Sequence, residues 1–255
     1  MSEPTYSICI THYNNAATVR RSLDSVLSQL DERFEVVVVD NFSDDGSKEI
    51  LEEYARTGKI TTLVEKRCSR GLGWQTAVET SRGKYSIVDL DMDDEFRPLL
   101  GSLLRFYHEK CEGLLLAAVA DLQSPWSKNV TIGPRALILE LGGWPDVQLY
   151  EHSNLWGKAA RRGVYRWTAF SMLAAEGGHP ERETAIGRLK FNYLRYRELL
   201  RQGRGAFTPG EKRGAGRWLA FILARASAPF YSSYKGTTNR DFRPRDRNYF
   251  VAFQV

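Results

Sequence analysis

The run Val36-Val37-Val38-Val39 limits what this chain can fold into more than any other segment. Four β-branched residues in succession favour a strand, and because neighbouring side chains of a strand point to opposite faces, an unbroken apolar run needs cover on both. That is the situation of a central strand in a parallel sheet with helices on either side. The surrounding residues fit the same architecture. Strands are expected over residues 6–11, 35–40, 60–64, 85–90 and 114–120. Between them, Val19, Leu23, Val26, Leu27 and Leu30 fall on one helical stripe, and Ile50, Leu51 and Tyr54 on a second. A third helix is expected from Pro98 through Tyr107, since proline suits a first helical turn.

Beyond Ala120 the alternation weakens, and Pro125, Gly133-Pro134 and Gly142-Gly143 punctuate a looser region. A helix is expected over 153–162 and a strand over 164–168. After the break Gly177-Gly178-His179-Pro180 come a long basic helix over 183–202, a glycine-rich connector over 203–216 and an apolar helix over 217–231. Charge divides the chain at the same place. The formal total is +5, but residues 188–255 hold 15 Lys or Arg against 4 Asp or Glu, which is +11, leaving −6 for residues 1–187. The expected organisation is a catalytic α/β body over 1–182 and a basic, partly amphipathic helical extension over 183–255.

Cys9, Cys68 and Cys111 show neither disulfide-framework nor zinc-site spacing, which points to a reducing compartment. The opening residues lack a charged stretch followed by an apolar one, and the uncharged apolar runs 114–120 and 218–224 fall far short of the roughly 18 residues a spanning helix needs. A cytoplasmic placement with at most peripheral membrane contact is expected, at the inner face.

In open parallel sheets ligands bind outside the carboxyl ends of the strands, so the residues there carry the chemistry. The first strand ends in Thr11-His12-Tyr13-Asn14-Asn15, rich in hydroxyl, amide and aromatic groups. The second ends in Asp40-Asn41-Phe42-Ser43-Asp44-Asp45-Gly46-Ser47, where Asp40 can accept hydrogen bonds from a base or serve a turn. Arg70-Gly71-Leu72-Gly73 sets a positive charge beside two residues that allow close backbone approach, a cradle for a diphosphate. Asp89-Leu90-Asp91-Met92-Asp93-Asp94 is the strongest local signal: four carboxylates in six residues repel one another unless a cation or donors offset them. A divalent ion and a nucleoside diphosphate would do so, while a solvated capping loop is the plainer reading. Glu151 and His152 are candidate bases, with helix-dipole compensation as the simpler role for Glu151.

Together these strand ends resemble glycosyltransferase family 2, the inverting enzymes with the GT-A nucleotide-binding fold, over roughly residues 5–165. Ile10-Thr11-His12-Tyr13-Asn14 resembles that family's first strand end, and Val39-Asp40-Asn41-Phe42-Ser43-Asp44-Asp45-Gly46-Ser47 matches its V-D-N-x-S-x-D-G-S residue for residue. The resemblance implies that Thr11, Tyr13, Asn14, Asp40 and Asp91 meet the nucleotide and that Arg70 lies near its diphosphate. It also implies a Mn or Mg ion on a D-x-D motif introduced by Arg82-Gly83-Lys84-Tyr85. Two registers fit: Asp91 with Asp93, favoured here, or Asp89 with Asp91, which keeps Asp89 in reserve. Gly142-Gly143-Trp144 through Glu151-His152 to Arg161-Arg162-Gly163 looks like the acceptor block, where His152 stands in the slot of the family's catalytic Asp. Either Glu151 or the imidazole is then the base.

The implied activity is metal-dependent, inverting transfer of a hexose from a UDP- or GDP-sugar, such as GDP-mannose or UDP-glucose, to a glycan or lipid-linked acceptor. A phosphate acceptor, as in the dolichyl-phosphate sugar synthases, needs no base and would tolerate the lost Asp. Two alternatives stay open: a non-catalytic nucleotide- or nucleic-acid-binding module with a basic tail, and a nucleotidyltransferase. The acid cluster opposes nucleic acid, and no glycine-rich, Lys-bearing loop follows the first strand. In the extension, Arg188, Lys190, Arg195, Arg197, Arg201 and Arg204 sit among apolar residues that continue into Trp218, Leu219, Phe221, Ile222, Leu223, Phe230 and Tyr231. That mixture fits anionic lipid or packing on the body, while Arg240, Arg243, Arg245 and Arg247 suit an anionic acceptor.

Overall fold

The computed structural model describes residues 3–120, 129–148, 151–175, 184–201, 215–227 and 247–253. In chain order the body runs β1 (Tyr6–His12), α1 (Val19–Leu27), β2 (Phe34–Asp40), α2 (Ser47–Arg56), β3 (Thr62–Glu65), α3 (Arg70–Thr80), β4 (Tyr85–Val88), β5 (Glu95–Phe96) and α4 (Leu100–Lys110). It continues with β6 (Leu115–Val119), β7 (Asn129–Pro134), α5 (Arg135–Glu140), α6 (Glu151–Arg161), β8 (Tyr165–Ala169) and β9 (Leu173–Ala175). Helices α7 (Ala185–Arg201) and α8 (Ala215–Ala226) follow, then a short 3-10 turn at Arg247–Tyr249.

One seven-stranded sheet has the order β3-β2-β1-β4-β7-β6-β8, and β5 pairs with β9 in a small ribbon. All neighbours in the large sheet are parallel except at β7, which runs antiparallel to both β4 and β6. The four valines behave as their unbroken run requires. Val36 and Val38 join Ile8 and Ile10 in a core closed by α1, α2 and α4, and Val37 and Val39 join Cys9 in a second core closed by α3, α5 and α6. β1 and β2 pair in register from Tyr6 opposite Phe34 to His12 opposite Asp40, so both end at one level and open one mouth.

Three elements differ from expectation. Residues 70–73 form the first turn of α3 rather than a loop, and Ser69 caps that helix by accepting from the Leu72 N–H at 3.2 Å. Its glycines serve packing: a Cβ on Gly71 would lie 2.2 Å from the Pro145 carbonyl oxygen, and one on Gly73 would lie 2.3 Å from Thr11 Oγ1. The region around Gly133-Pro134 holds the antiparallel strand β7, whose Gly133 leaves room for Leu115, 2.7 Å from where a Cβ would stand. β4 ends at Val88, short of residue 90, because Asp89 takes a φ of 76° and turns the chain.

In the basic region, α7 and α8 pack on each other around Tyr196, Leu199, Ala220 and Ala224. α7 also meets the body: the Gln148 N–H donates to Glu198 Oε1 at 3.2 Å, and Arg201 Nη2 donates to the Asp146 carbonyl at 2.5 Å. Farther on, Phe250 bridges to Trp167 of β8, and Phe253 packs on Phe106 and Phe170. The break at 177–180, most of the 203–216 connector, and Arg204, Phe230, Tyr231, Arg240, Arg243 and Arg245 lie outside the described residues.

Candidate active site

The carboxyl ends of β1 and β2 and the loop after β4 surround a cavity of about 380 Å³. Thr11, Tyr13, Asn14 and Asn41 form one wall, and Arg70, Asp91, Asp93 and Gln148 another. Turn chemistry holds the first wall in place. Asn14, at a φ of 49°, donates from Nδ2 to Asp44 and accepts from the Asp44 N–H, while its own N–H donates to Ser43 Oγ at 3.0 Å. Asp45 accepts from the Ala16 N–H on one side and from Ser47 on the other. The two loops are thereby fastened together, and the Tyr13 ring stands 55% exposed at the mouth.

Asp40 is placed differently from the expected base reader. It is buried, and its carboxylate accepts from the Ser43 N–H at 2.9 Å and the Ser43 hydroxyl at 2.6 Å. Here it fixes the turn, in which Phe42 adopts a φ of 58°, and its neighbour Asn41 reaches the cavity. Asn41 Oδ1 accepts from the Cys68 N–H at 2.9 Å, which ties the turn to the entrance of α3.

The acidic loop divides in two. Carboxylate oxygens of Asp91, Asp93 and Asp94 all lie within 4.8 Å of one another, the last two residues being buried. Three hard oxygen donors at that separation suit a divalent ion and would repel one another without positive charge nearby. α1 clamps their backbone: Thr18 Oγ1 donates to the Met92 carbonyl at 2.9 Å and Ser22 Oγ to that of Asp91 at 3.3 Å. Asp89, the reserve ligand, is absent from this group because its backbone turns it away. It accepts from Thr131 Oγ1 at 2.6 Å, lies 3.3 Å from His152 Nε2, and burial pushes its acid well above the usual carboxylate range. The geometry thus fits the register of Asp91 and Asp93, with Asp94 as the third member.

Arg70 opens α3 with its backbone N–H on Gln148 Oε1 at 3.0 Å and its guanidinium 3.8 Å from Glu151 Oε1. Glu151 begins α6 and is buried, which raises its pKa to about 7 even though the charge of Arg70 works against the rise. His152 follows it, and its Nε2 lies 3.9 Å from Glu151 Oε1 and 3.3 Å from Asp89 Oδ1. Its ring lies between Trp74 (4.6 Å between centroids) and Trp156 (5.0 Å), and burial, aided by Arg70, lowers its pKa to about 3. An imidazole so reluctant to take a proton is a poor base at neutral pH.

The family pattern described as Glycosyl transferase family 2 matches residues 7–163, well over half of the chain. The chain belongs to this family. Its fold is that of GT-A glycosyltransferases. The mannosyltransferase PcManGT of Pyrobaculum calidifontis, solved with GDP-Man and Mn2+, superposes at a TM-score of 0.59 with 19% identity, covering 89% of this chain and 70% of that one. Glucosyl-3-phosphoglycerate synthase of Mycobacterium tuberculosis, solved with Mn2+, UDP and glucosyl-3-phosphoglycerate, gives 0.57 with 18% identity, over 79% and 81%. In sequence, the putative glycosyltransferase EpsH of Bacillus subtilis is 30% identical over 100 residues, 38% of this chain and 28% of EpsH. The match spans between 28% and 38% of the length of EpsH and two other curated relatives.

Of the residues singled out in this family 2 sequence, Thr11, Tyr13, Asn14, Arg70, Asp91 and Asp93 line the cavity, and Glu151 stands beside it through Arg70. Asp40, Asp89 and His152 support the wall from behind. Gln148, which lines the cavity, and Asp94, which joins the clustered acids, are site residues that sequence reasoning misses. Gln148 has no chemical signature in sequence, while Asp94 is hidden by the acids around it.

Proposed function

We propose that this chain transfers a hexose, with inversion, from a nucleoside-diphosphate sugar of the UDP or GDP type to an acceptor. The observation that carries the reading is one cavity lined by an exposed aromatic ring, by Asp91 and Asp93 of the clustered acids and by Arg70, with a buried acid, of raised pKa, 3.8 Å from Arg70. Tyr13 offers its face to the base, with Thr11 and Asn14 beside it and Asp40 holding their loop. Asp91, Asp93 and Asp94 would hold Mn2+ or Mg2+, which supplies positive charge for the departing diphosphate. Arg70 adds a fixed charge on the same side. As the acceptor oxygen bonds to the anomeric carbon and the bond from that carbon to the diphosphate breaks, Glu151 takes the hydroxyl proton. A pKa of about 7 suits that task at neutral pH. His152 packs between the two tryptophans as a neutral imidazole and takes no proton from the acceptor.

Residues 1–182 form the catalytic unit in this reading, and 183–255 meet a lipid-linked or glycan acceptor at the cytoplasmic face of a membrane. The presence of GDP-Man with Mn2+ in PcManGT, and of UDP with Mn2+ in glucosyl-3-phosphoglycerate synthase, supports the donor class. The test is thermal denaturation with UDP- and GDP-sugars, with and without Mn2+, because a ligand bound only to the native state raises the melting temperature. A rise that needs both nucleotide and metal is expected. If no nucleotide shifts the transition in the presence of metal, the reading fails.

A further inference from the structure

Helix α8 distributes its side chains in reverse. A helix packed on a protein and facing water turns its large apolar residues inward. α8 instead turns Ala220 and Ala224 toward α7, while Trp218, Leu219, Ile222 and Leu223 are 41–57% exposed. With 3.6 residues per turn, these four span an arc of about 140°. The arc holds no charged side chain, and the two arginines of α8, Arg217 and Arg225, both lie beyond its Trp218 side. Such a continuous apolar surface costs free energy in water and marks a contact.

Charge identifies the contact. The segments of α7 and α8 hold seven Lys or Arg against one acid, Glu198. Glu198 is itself buried and accepts bonds from Arg201 and the Gln148 N–H. A second copy of the chain would bring two such basic pairs face to face. An anionic bilayer offers acyl chains for the apolar arc and phosphates for the flanking bases.

We propose that the outer face of α8 inserts into the interfacial layer of an anionic membrane, with the basic side chains of α7 and α8 on lipid headgroups. α7 is bonded through Glu198 and Arg201 to the 146–148 loop, and Gln148 lines the cavity. Insertion therefore holds the cavity mouth at the bilayer surface, where a lipid-linked acceptor would present itself. That last step rests on the glycosyl-transfer reading; the membrane-binding surface does not.

The test is flotation of the full chain with phosphatidylcholine vesicles and with vesicles enriched in phosphatidylglycerol, at low and high salt. Binding to the anionic vesicles, weakened by salt, is expected. Joint replacement Leu219→Glu and Ile222→Glu, at exposed positions, should lower partitioning roughly 100-fold. Arg217→Gln with Arg225→Gln should lower it about 30-fold and flatten the salt dependence. All variants should keep the melting temperature and any nucleotide-with-Mn2+ shift of the parent, so vesicle binding without a nucleotide shift would sink the donor reading and leave the surface standing. The proposal is overturned by absence of binding to anionic vesicles at low salt, by unchanged binding of the double-Glu variant, or by a dimer that this variant dissolves while the parent ignores vesicles.

Discussion

Replacing Glu151 by Gln separates the acid's cost to the fold from its use in catalysis. Its folded pKa is about 7 against an ordinary 4.5, with burial as the main cause and Arg70 opposing it. At 1.36 kcal/mol per unit, that rise corresponds to about 3 kcal/mol against folding once the group is ionised. The folded state holds the proton more tightly than the unfolded chain, so stability falls as pH rises from 4.5 to about 7 and then levels off. Glu151→Gln removes the ionisable group. The variant should match the parent near pH 4.5 and exceed it by up to about 3 kcal/mol at pH 8, a melting difference of roughly 6–12 °C for a chain of this size. Metal-free denaturation across that pH range reads the difference directly. The same variant should lose about 100-fold or more in kcat with a hydroxyl acceptor, and with it the rise in rate through pH 7. A stability difference independent of pH would refute the burial argument. Retained activity with the parent's pH profile would refute Glu151 as the base.

Three further substitutions test the rest of the site. Asp91→Asn should abolish a nucleotide shift that depends on Mn2+, read by thermal denaturation with and without the metal, because it removes one of the three clustered carboxylates that would hold the ion. His152→Ala should cost about 2–4 kcal/mol through the space left between Trp74 and Trp156, measured by denaturant unfolding, yet keep the parent's pH–rate profile; a shifted profile would return the imidazole to the role of base. Gly71→Ala should lower stability by about 1–3 kcal/mol or more, since its Cβ would press on the Pro145 carbonyl, and should weaken donor binding as the 145–148 loop moves.

What the sequence reveals here depends on how each element is buried. β1, β2, β4 and β6 are legible because strands covered on both faces need apolar runs, and the observed bounds fall within two residues of expectation. α3 is hidden for the opposite reason: Gly71, Gly73, Trp74, Thr76, Ala77 and Val78 are all buried, so no polar face gives the 3.6-residue rhythm away. β7 is masked by Gly133-Pro134, which in most contexts marks a turn. In the site, composition identifies the acidic loop but not which acids converge. The left-handed backbone at Asp89 decides that, and an Asp adopts such a conformation without any signature beyond itself. Likewise Glu151 and His152 look equivalent as neighbours in sequence. The fold alone shows that the Glu151 carboxylate lies 3.8 Å from Arg70 while the His152 ring, 3.9 Å from that carboxylate, is packed between two tryptophans.

The opposed charges of the two halves of the chain meet at the 145–148 loop. Gln148 accepts from the Arg70 N–H with its side chain and donates its own N–H to Glu198, while Asp146 accepts from Arg201. One short segment therefore joins Arg70 of the cavity to the basic helix. The oxygen bonded by Arg70 belongs to a residue whose backbone is held by α7, so a displacement of α7 has a direct path to the first turn of α3, where Arg70 sits. Gly71 and Gly73 keep that turn pressed against the loop and against Thr11, leaving little slack to absorb the motion. If ligands on α7 alter donor affinity, substitution of Gln148 by Ala should uncouple the two, lowering the effect of vesicles on nucleotide binding without removing either binding event. Coupling that survives Gln148→Ala would mean that the signal travels by another path.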